Sequence, residues 1–204
     1  NTVTSTISCG AGPEGIAVSG GIAYVCNVGG WGLDNTVTVI NTDNDVVETT
    51  LTVGDKPNSV VVDVNGAVWV LTGGYTEYDA NWNVVSETAG NLVKIVDNNI
   101  EATYAFAVGN HPEDLVINDA GTKLYYSDGS WSKAVYAFDV TDTELSTTAL
   151  INRSFYGLGC NDGYIYGTDA VDYVQSGWSY KYASNGSIID SVQVGIIPGG
   201  YCFN

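Results

Sequence analysis

The feature that most constrains this chain is a corner that recurs along its length. In Leu51-Thr52-Val53-Gly54-Asp55-Lys56-Pro57-Asn58-Ser59-Val60 a β-rich run ends in Val-Gly, two polar residues turn the chain, and a proline leads into another apolar run. Close copies surround Pro13 (residues 9–18) and Pro112 (residues 108–117). A degenerate copy at 152–160 carries Phe155 in place of the proline, and a last copy at 194–203 contains Pro198. Proline fixes φ and glycine tolerates positive φ, so each copy enforces a change of direction. The corners return every forty-odd residues except between Pro57 and Pro112, where the excess falls in one loop.

Between corners, short runs rich in Val, Ile, Tyr and Trp are separated by Gly-, Asn- and Asp-rich turns, which is strand and hairpin chemistry. The first repeat predicts strands at 16–18, 22–26, 36–40 and 46–53, and the second at 60–64, 67–71, 92–96 and 100–108. The third predicts 115–117, 123–126, 134–138 and 145–151, and the fourth 156–160, 164–166, 178–182 and 188–194. Four strands per unit of this length is the pattern of a β-propeller blade. The expected fold is therefore all-β: a single propeller with blades at 13–56, 57–111, 112–154 and 155–197. Residues 1–12 match the run before Pro57 and are expected to be the outer strand of a preceding blade, and residues 198–204 the inner strand of a closing one.

Composition narrows the partners. Six basic residues against 23 acidic ones give a net charge of −17, which repels a phosphate backbone and excludes nucleic acid. There is no run long enough to span a bilayer and no basic-then-apolar leader. With no methionine, the chain reads as a mature or truncated product. Cys9, Cys26, Cys160 and Cys202 lack metal-ligand spacing and are expected to be small buried hydrophobes. The Asp-rich stretches at 41–45 and 139–142 lack the spacing of a calcium loop and read as turns. Neither metal nor cofactor is implied.

The corner Val53-Gly54-x-x-Pro57, the strands Ala23-Tyr24-Val25-Cys26-Asn27 and Leu124-Tyr125-Tyr126-Ser127-Asp128, and the run Thr38-Val39-Ile40-Asn41-Thr42 resemble the repeats of YVTN or YncE-like seven-bladed propellers. The resemblance covers essentially the whole chain. In its acidic, lysine-poor, aromatic-rich style the chain is also similar to the surface lipoprotein propellers of gut Bacteroidota, some of which capture cobalamin for an outer-membrane transporter. The family implies seven blades, so four blades with two orphan strands imply a C-terminal part of a larger ring, completed by a missing segment or a partner chain. It also implies an extracellular or cell-surface location, as an outer-membrane lipoprotein, or a periplasmic one.

In such a fold the loop between a blade's second and third strands emerges on the same face as the corner to the next blade. That face collects Trp31, Tyr75, Tyr78, Trp82, Trp131, Tyr173 and Trp178 from the loops, and Lys56, His111, Arg153 and Phe155 from the corners. Glu14, Asn58, Glu113 and Tyr156 fall just inside the central channel mouth. The opposite face carries only small polar turns. Concentrated aromatics suit a planar or amphipathic ligand, although individual tryptophans also serve to pin their own loops. The long loop at 73–90 is the candidate lid.

His111 is the only histidine and reads as a turn residue, and no nucleophile-elbow pattern surrounds any serine. The resulting expectation is a non-catalytic binding module, with a corrinoid as ligand and a glycan as the next choice. The rival readings are a structural surface-layer protein and a propeller enzyme, a lactonase or haem oxidoreductase. A single histidine and no Cys-x-x-Cys-His argue against the enzyme.

Overall fold

The computed structural model describes residues 2–129 and 134–203 and divides into two compact units, Asn1–Glu113 and Asp114–Asn204. Unit 1 begins with a four-stranded antiparallel sheet in sequential order: β1 (Pro13–Ser19), β2 (Ile22–Asn27), β3 (Thr36–Asn41) and β4 (Val46–Thr52). Next come β5 (Pro57–Val62), β6 (Val68–Thr72), the short pair β7 (Thr76–Tyr78) and β8 (Val84–Glu87), β9 (Asn91–Val96) and β10 (Asn99–Ala105). Strands β5, β6, β9 and β10 form the second four-stranded sheet, and β7 and β8 pair as a separate hairpin.

The middle strands read as nearly continuous apolar runs because both of their faces are covered. On one face Tyr24, Cys26, Val37 and Val39 pack with Val53 against Val68, Val70, Val93 and Ile95 of the second sheet. On the other, Ala23, Val25 and Ile40 are covered by Ile7 and Cys9. Each fully buried aliphatic side chain contributes about 1.5–3 kcal/mol relative to exposure. The outer strands β4 and β10 instead alternate between exposed and half-buried positions, as strands with one face in solvent do.

Unit 2 holds a three-stranded sheet, β11 (Glu113–Ile117), β12 (Lys123–Ser127) and β13 (Val135–Asp139). A four-stranded sheet follows, β14 (Gly157–Asn161), β15 (Tyr164–Asp169), β16 (Ser176–Ala183) and β17 (Ile188–Ile196). Its core joins Tyr125, Val135 and Ile151 to Phe155, Leu158, Ile165 and Tyr182. Every assigned element is a strand, and no helix among the described residues is long and apolar enough to cross a membrane.

Several expectations are corrected. The fourth strand at 145–151 shrinks to one bridge, Val135 to Ile151, because Ser146 bonds locally instead: its Oγ donates to Thr148 O at 3.0 Å and accepts from Thr148 N at 3.1 Å. The loop at 73–90 contains the β7–β8 hairpin. Residues 2–9 form no strand, and neither do 201–203. The Tyr201 and Phe203 rings stack on each other at 5.7 Å and lie 5.5 and 5.2 Å from Tyr166. A Cβ at Gly159 would come within 2.8 Å of the Tyr201 ring, so glycine makes the seat for this strap. Of the four cysteines, all free, only Cys26 is buried; Cys9 and Cys160 are half-buried and Cys202 is exposed.

Candidate active site at the His111 corner

The corner after β4 is the hub that positions the loops of unit 1. Val53 N donates to Asn35 O at 2.9 Å and Lys56 N to Asp34 O at 3.0 Å, tying in the loop between β2 and β3. Gly73 N donates to Lys56 O at 2.8 Å and Gly74 N to Asp55 O at 3.0 Å, tying in the base of the hairpin. Asp34 anchors its own loop by accepting from the Thr36 hydroxyl and from the amides of Ala11, Asn35 and Thr36. Burial pushes its carboxyl up, but these hydrogen bonds outweigh burial and hold it below its ordinary value. Lys56 and Ile197 precede their prolines at φ +57 and +52, as Gly12 does before Pro13, so three of the four proline corners share a backbone conformation; at Pro112 the positive φ falls instead on Asp114.

The next corner brings His111 under the hairpin. Its Nδ1 lies 2.7 Å from Gly73 O, a carbonyl, so this nitrogen carries a proton and donates. Nε2 then faces Thr76 Oγ1 at 3.0 Å and Glu87 Oε1 at 3.2 Å, while the Thr76 hydroxyl donates to the same Glu87 oxygen at 3.0 Å. The single Thr76 hydroxyl hydrogen lies within reach of both Nε2 and Oε1, so the three groups form one hydrogen-bonded cluster. The His111 and Glu87 side chains are 35% and 27% exposed, so the pair is partly open to solvent. The arrangement can accept and return a proton.

Around this pair, Tyr75 is half-buried with the Lys56 ammonium 5.8 Å from its ring centre. Tyr78 and Trp82 are exposed on the hairpin with their rings 6.1 Å apart, and Trp31 is fully exposed in its loop. Glu14 and Glu113 are exposed on β1 and β11. Asn58 is committed to structure: its Nδ2 donates to Pro112 O at 2.8 Å, and its Oδ1 accepts from Ser59 Oγ at 2.6 Å. Among the described residues no group of three or more His, Cys, Asp or Glu side chains is placed to hold a metal ion. Trp131 lies outside the described residues.

In unit 2, Phe155 is not available to a ligand. It is buried, its ring 5.8 Å from Tyr182 and 6.1 Å from Tyr180, because at this degenerate corner it fills the space over Gly167. Arg153 lies over the Tyr180 ring at 4.1 Å, with Nη1 4.0 Å from Asp169 Oδ2. Tyr156 and Tyr173 meet edge to face at 5.6 Å beside an open cleft of about 240 Å³, which Ser154 and Asp169 also line. Trp178 is half-buried within β16.

Sequence reasoning singled out His111 as a turn residue and missed the partners that define it, Thr76, Glu87 and the Gly73 carbonyl. The missed signal is the β-branched pair opening Val84-Val85-Ser86-Glu87, a short strand whose register sets Glu87 opposite Thr76 in the hairpin.

The two units are built from antiparallel sheets of the propeller class, and comparison with solved structures agrees. No family model and no curated protein matches the chain. Among solved structures, a hydrazine synthase of Kuenenia stuttgartiensis is similar at 16% identity and a TM-score of 0.67, over 95% of this chain and 57% of that one. A gluconolactonase of Xanthomonas campestris is similar at 15% identity and 0.59, over 92% and 63%. A Bacteroides fragilis protein named for 6-phosphogluconolactonase is similar at 13% identity and 0.58, over 90% and 55%. The chain thus spans roughly half to two thirds of the length of these proteins. At such identities the likeness establishes the propeller fold, while the narrower kinship to YncE-like or cobalamin-capturing proteins is not carried. It also corrects the expectation of a non-catalytic surface module, corrinoid- or glycan-binding, because structural neighbours are named for lactonases.

Proposed function

We propose that this chain carries the acid–base part of a propeller hydrolase that opens a lactone, a cyclic ester. The observation that carries the reading is the contact of His111 Nε2 with Glu87 Oε1, at 3.2 Å in a position open to solvent. Water adds to the lactone carbonyl carbon and gives up a proton to the His111–Glu87 pair. The ring carbon–oxygen bond then breaks, and the ring oxygen leaves with a proton returned from Nε2, giving an open hydroxy acid. The Gly73 carbonyl fixes the imidazole tautomer, and the Thr76 hydroxyl holds the carboxylate in place. The lactonase names among the structural neighbours support the substrate class.

The test is hydrolysis of δ-gluconolactone by the purified chain in a pH-stat, corrected for the spontaneous rate. His111→Gln and Glu87→Gln are expected to lose on the order of 10²–10⁴-fold in kcat if the pair moves the proton, with unchanged far-ultraviolet circular dichroism. A rate equal to the blank, or one that both variants leave intact, refutes the reading.

A further inference from the structure

We infer that the His111 site selects an uncharged lactone and rejects a phosphorylated one; this rests on the lactone-opening reading above. Unit 1 carries two lysines, Lys56 and Lys94, and no arginine, against thirteen carboxylates. Both lysines already have partners within the unit. Lys94 is paired with Glu101 at 2.8 Å and lies 5.6 Å from the Trp69 ring centre. The Lys56 ammonium donates to the carbonyls of Gly30 and Gly32 and sits over Tyr75.

Backbone amides at the base of the hairpin are committed as well. Those of Gly73 and Gly74 donate to Lys56 O and Asp55 O, that of Tyr75 to Thr88 Oγ1, and that of Thr88 to Tyr75 O. The amide of Asn110, beside His111, donates to Ala107 O. Meanwhile Glu87 stands in the site and Asp55 is held at its edge by the Thr88 hydroxyl at 2.7 Å, whereas Glu77 is turned to the other face of the hairpin, where it accepts from the Ser86 hydroxyl. A phosphate brought to the pair falls within a Debye length, about 8 Å at physiological ionic strength, of like charge. The exposed faces of Tyr78 and Trp82 suit the C–H face of an uncharged ring instead.

The experiment compares kcat/KM for δ-gluconolactone and its 6-phosphorylated form at low and high salt, with calorimetric binding of glucose and glucose 6-phosphate alongside. The expected result is a preference of tenfold or more for the unphosphorylated lactone, shrinking as salt rises. Asp55→Asn, which keeps an acceptor for the Thr88 hydroxyl and removes the charge, narrows that preference severalfold while leaving turnover of the uncharged lactone in place. Equal or faster turnover of the phosphorylated lactone overturns the inference, as does a preference that neither salt nor Asp55→Asn moves. If neither lactone is hydrolysed, the lactone-opening reading fails, and calorimetry still judges selection. Tighter binding of glucose supports it, whereas equal or tighter binding of glucose 6-phosphate, or no binding of either sugar, overturns it.

Discussion

Replacing Asp63 by alanine tests how unit 1 is held at the turn between β5 and β6. Asp63 is 6% exposed, and its carboxylate accepts from Asn65 N at 2.8 Å, Ala67 N at 3.0 Å and Trp69 Nε1 at 2.9 Å. Asn65 is at the surface, where water replaces the lost acceptor, so the cost falls on the buried Ala67 amide and the fully buried indole. A hydrogen bond to a charged group contributes about 1.5–3 kcal/mol net, so two of them put Asp63→Ala at roughly 4 kcal/mol. For a chain of this size that lowers Tm by about 8–16 °C. Urea titration followed by circular dichroism gives the free energy directly. Trp69→Phe removes the indole donor along with part of the buried ring, a loss common to both backgrounds, so the double variant should fall short of the sum of the single losses by about 1.5–3 kcal/mol. A loss below about 1 kcal/mol for Asp63→Ala, or strict additivity, refutes the reasoning.

Gly159→Val should unseat the C-terminal strap, because its Cβ would meet the Tyr201 ring at 2.8 Å; limited proteolysis should then cut after residue 197 faster than in the parent, and equal cutting rates would refute the fit. Burial pushes the Cys26 thiol from 9.0 up to about 12 and the Cys160 thiol up to about 11. The stability Cys26 contributes is therefore complete below its unfolded value and is lost as pH rises towards 12, so Cys26→Ala should flatten the alkaline limb of a stability–pH curve. With Ellman's reagent at pH 8 the exposed Cys202 should react first and Cys26 last. Because the folded Asp34 carboxyl sits below its ordinary value, its stabilisation is present above the unfolded value and disappears as pH falls through the folded one. Asp34→Asn should blunt that acid loss in a melt series from pH 6 to pH 2.

Blade spacing was legible because corners are written in residues with local rules, Gly54 and Pro57 among them. The failures lie where tertiary context decides. The alternation in Leu145-Ser146-Thr147-Thr148 fits a strand, but the Ser146 hydroxyl bonds its neighbour's backbone and the ladder is lost. Phe155 occupies a corner position and reads as exposed, yet the glycine opposite admits its ring into the core. The aromatic character of Trp31 and Trp82 was plain from sequence, and both are exposed. The His111–Glu87 contact was not, since it depends on a hairpin whose strands of three and four residues are too short to announce themselves.

Phe155 gives the fourth corner a different history from its siblings. At Pro13, Pro57, Pro112 and Pro198 a covalent ring restricts the backbone before the chain has folded, so part of the ordering is already present in the unfolded ensemble. At Phe155 the restraint exists only once Tyr180, Tyr182 and the space over Gly167 are assembled. That corner is ordered by the same packing that forms the core of unit 2, so exchange of the Tyr156 amide, which donates to Thr168 O at 2.7 Å, should track loss of that core rather than local fraying.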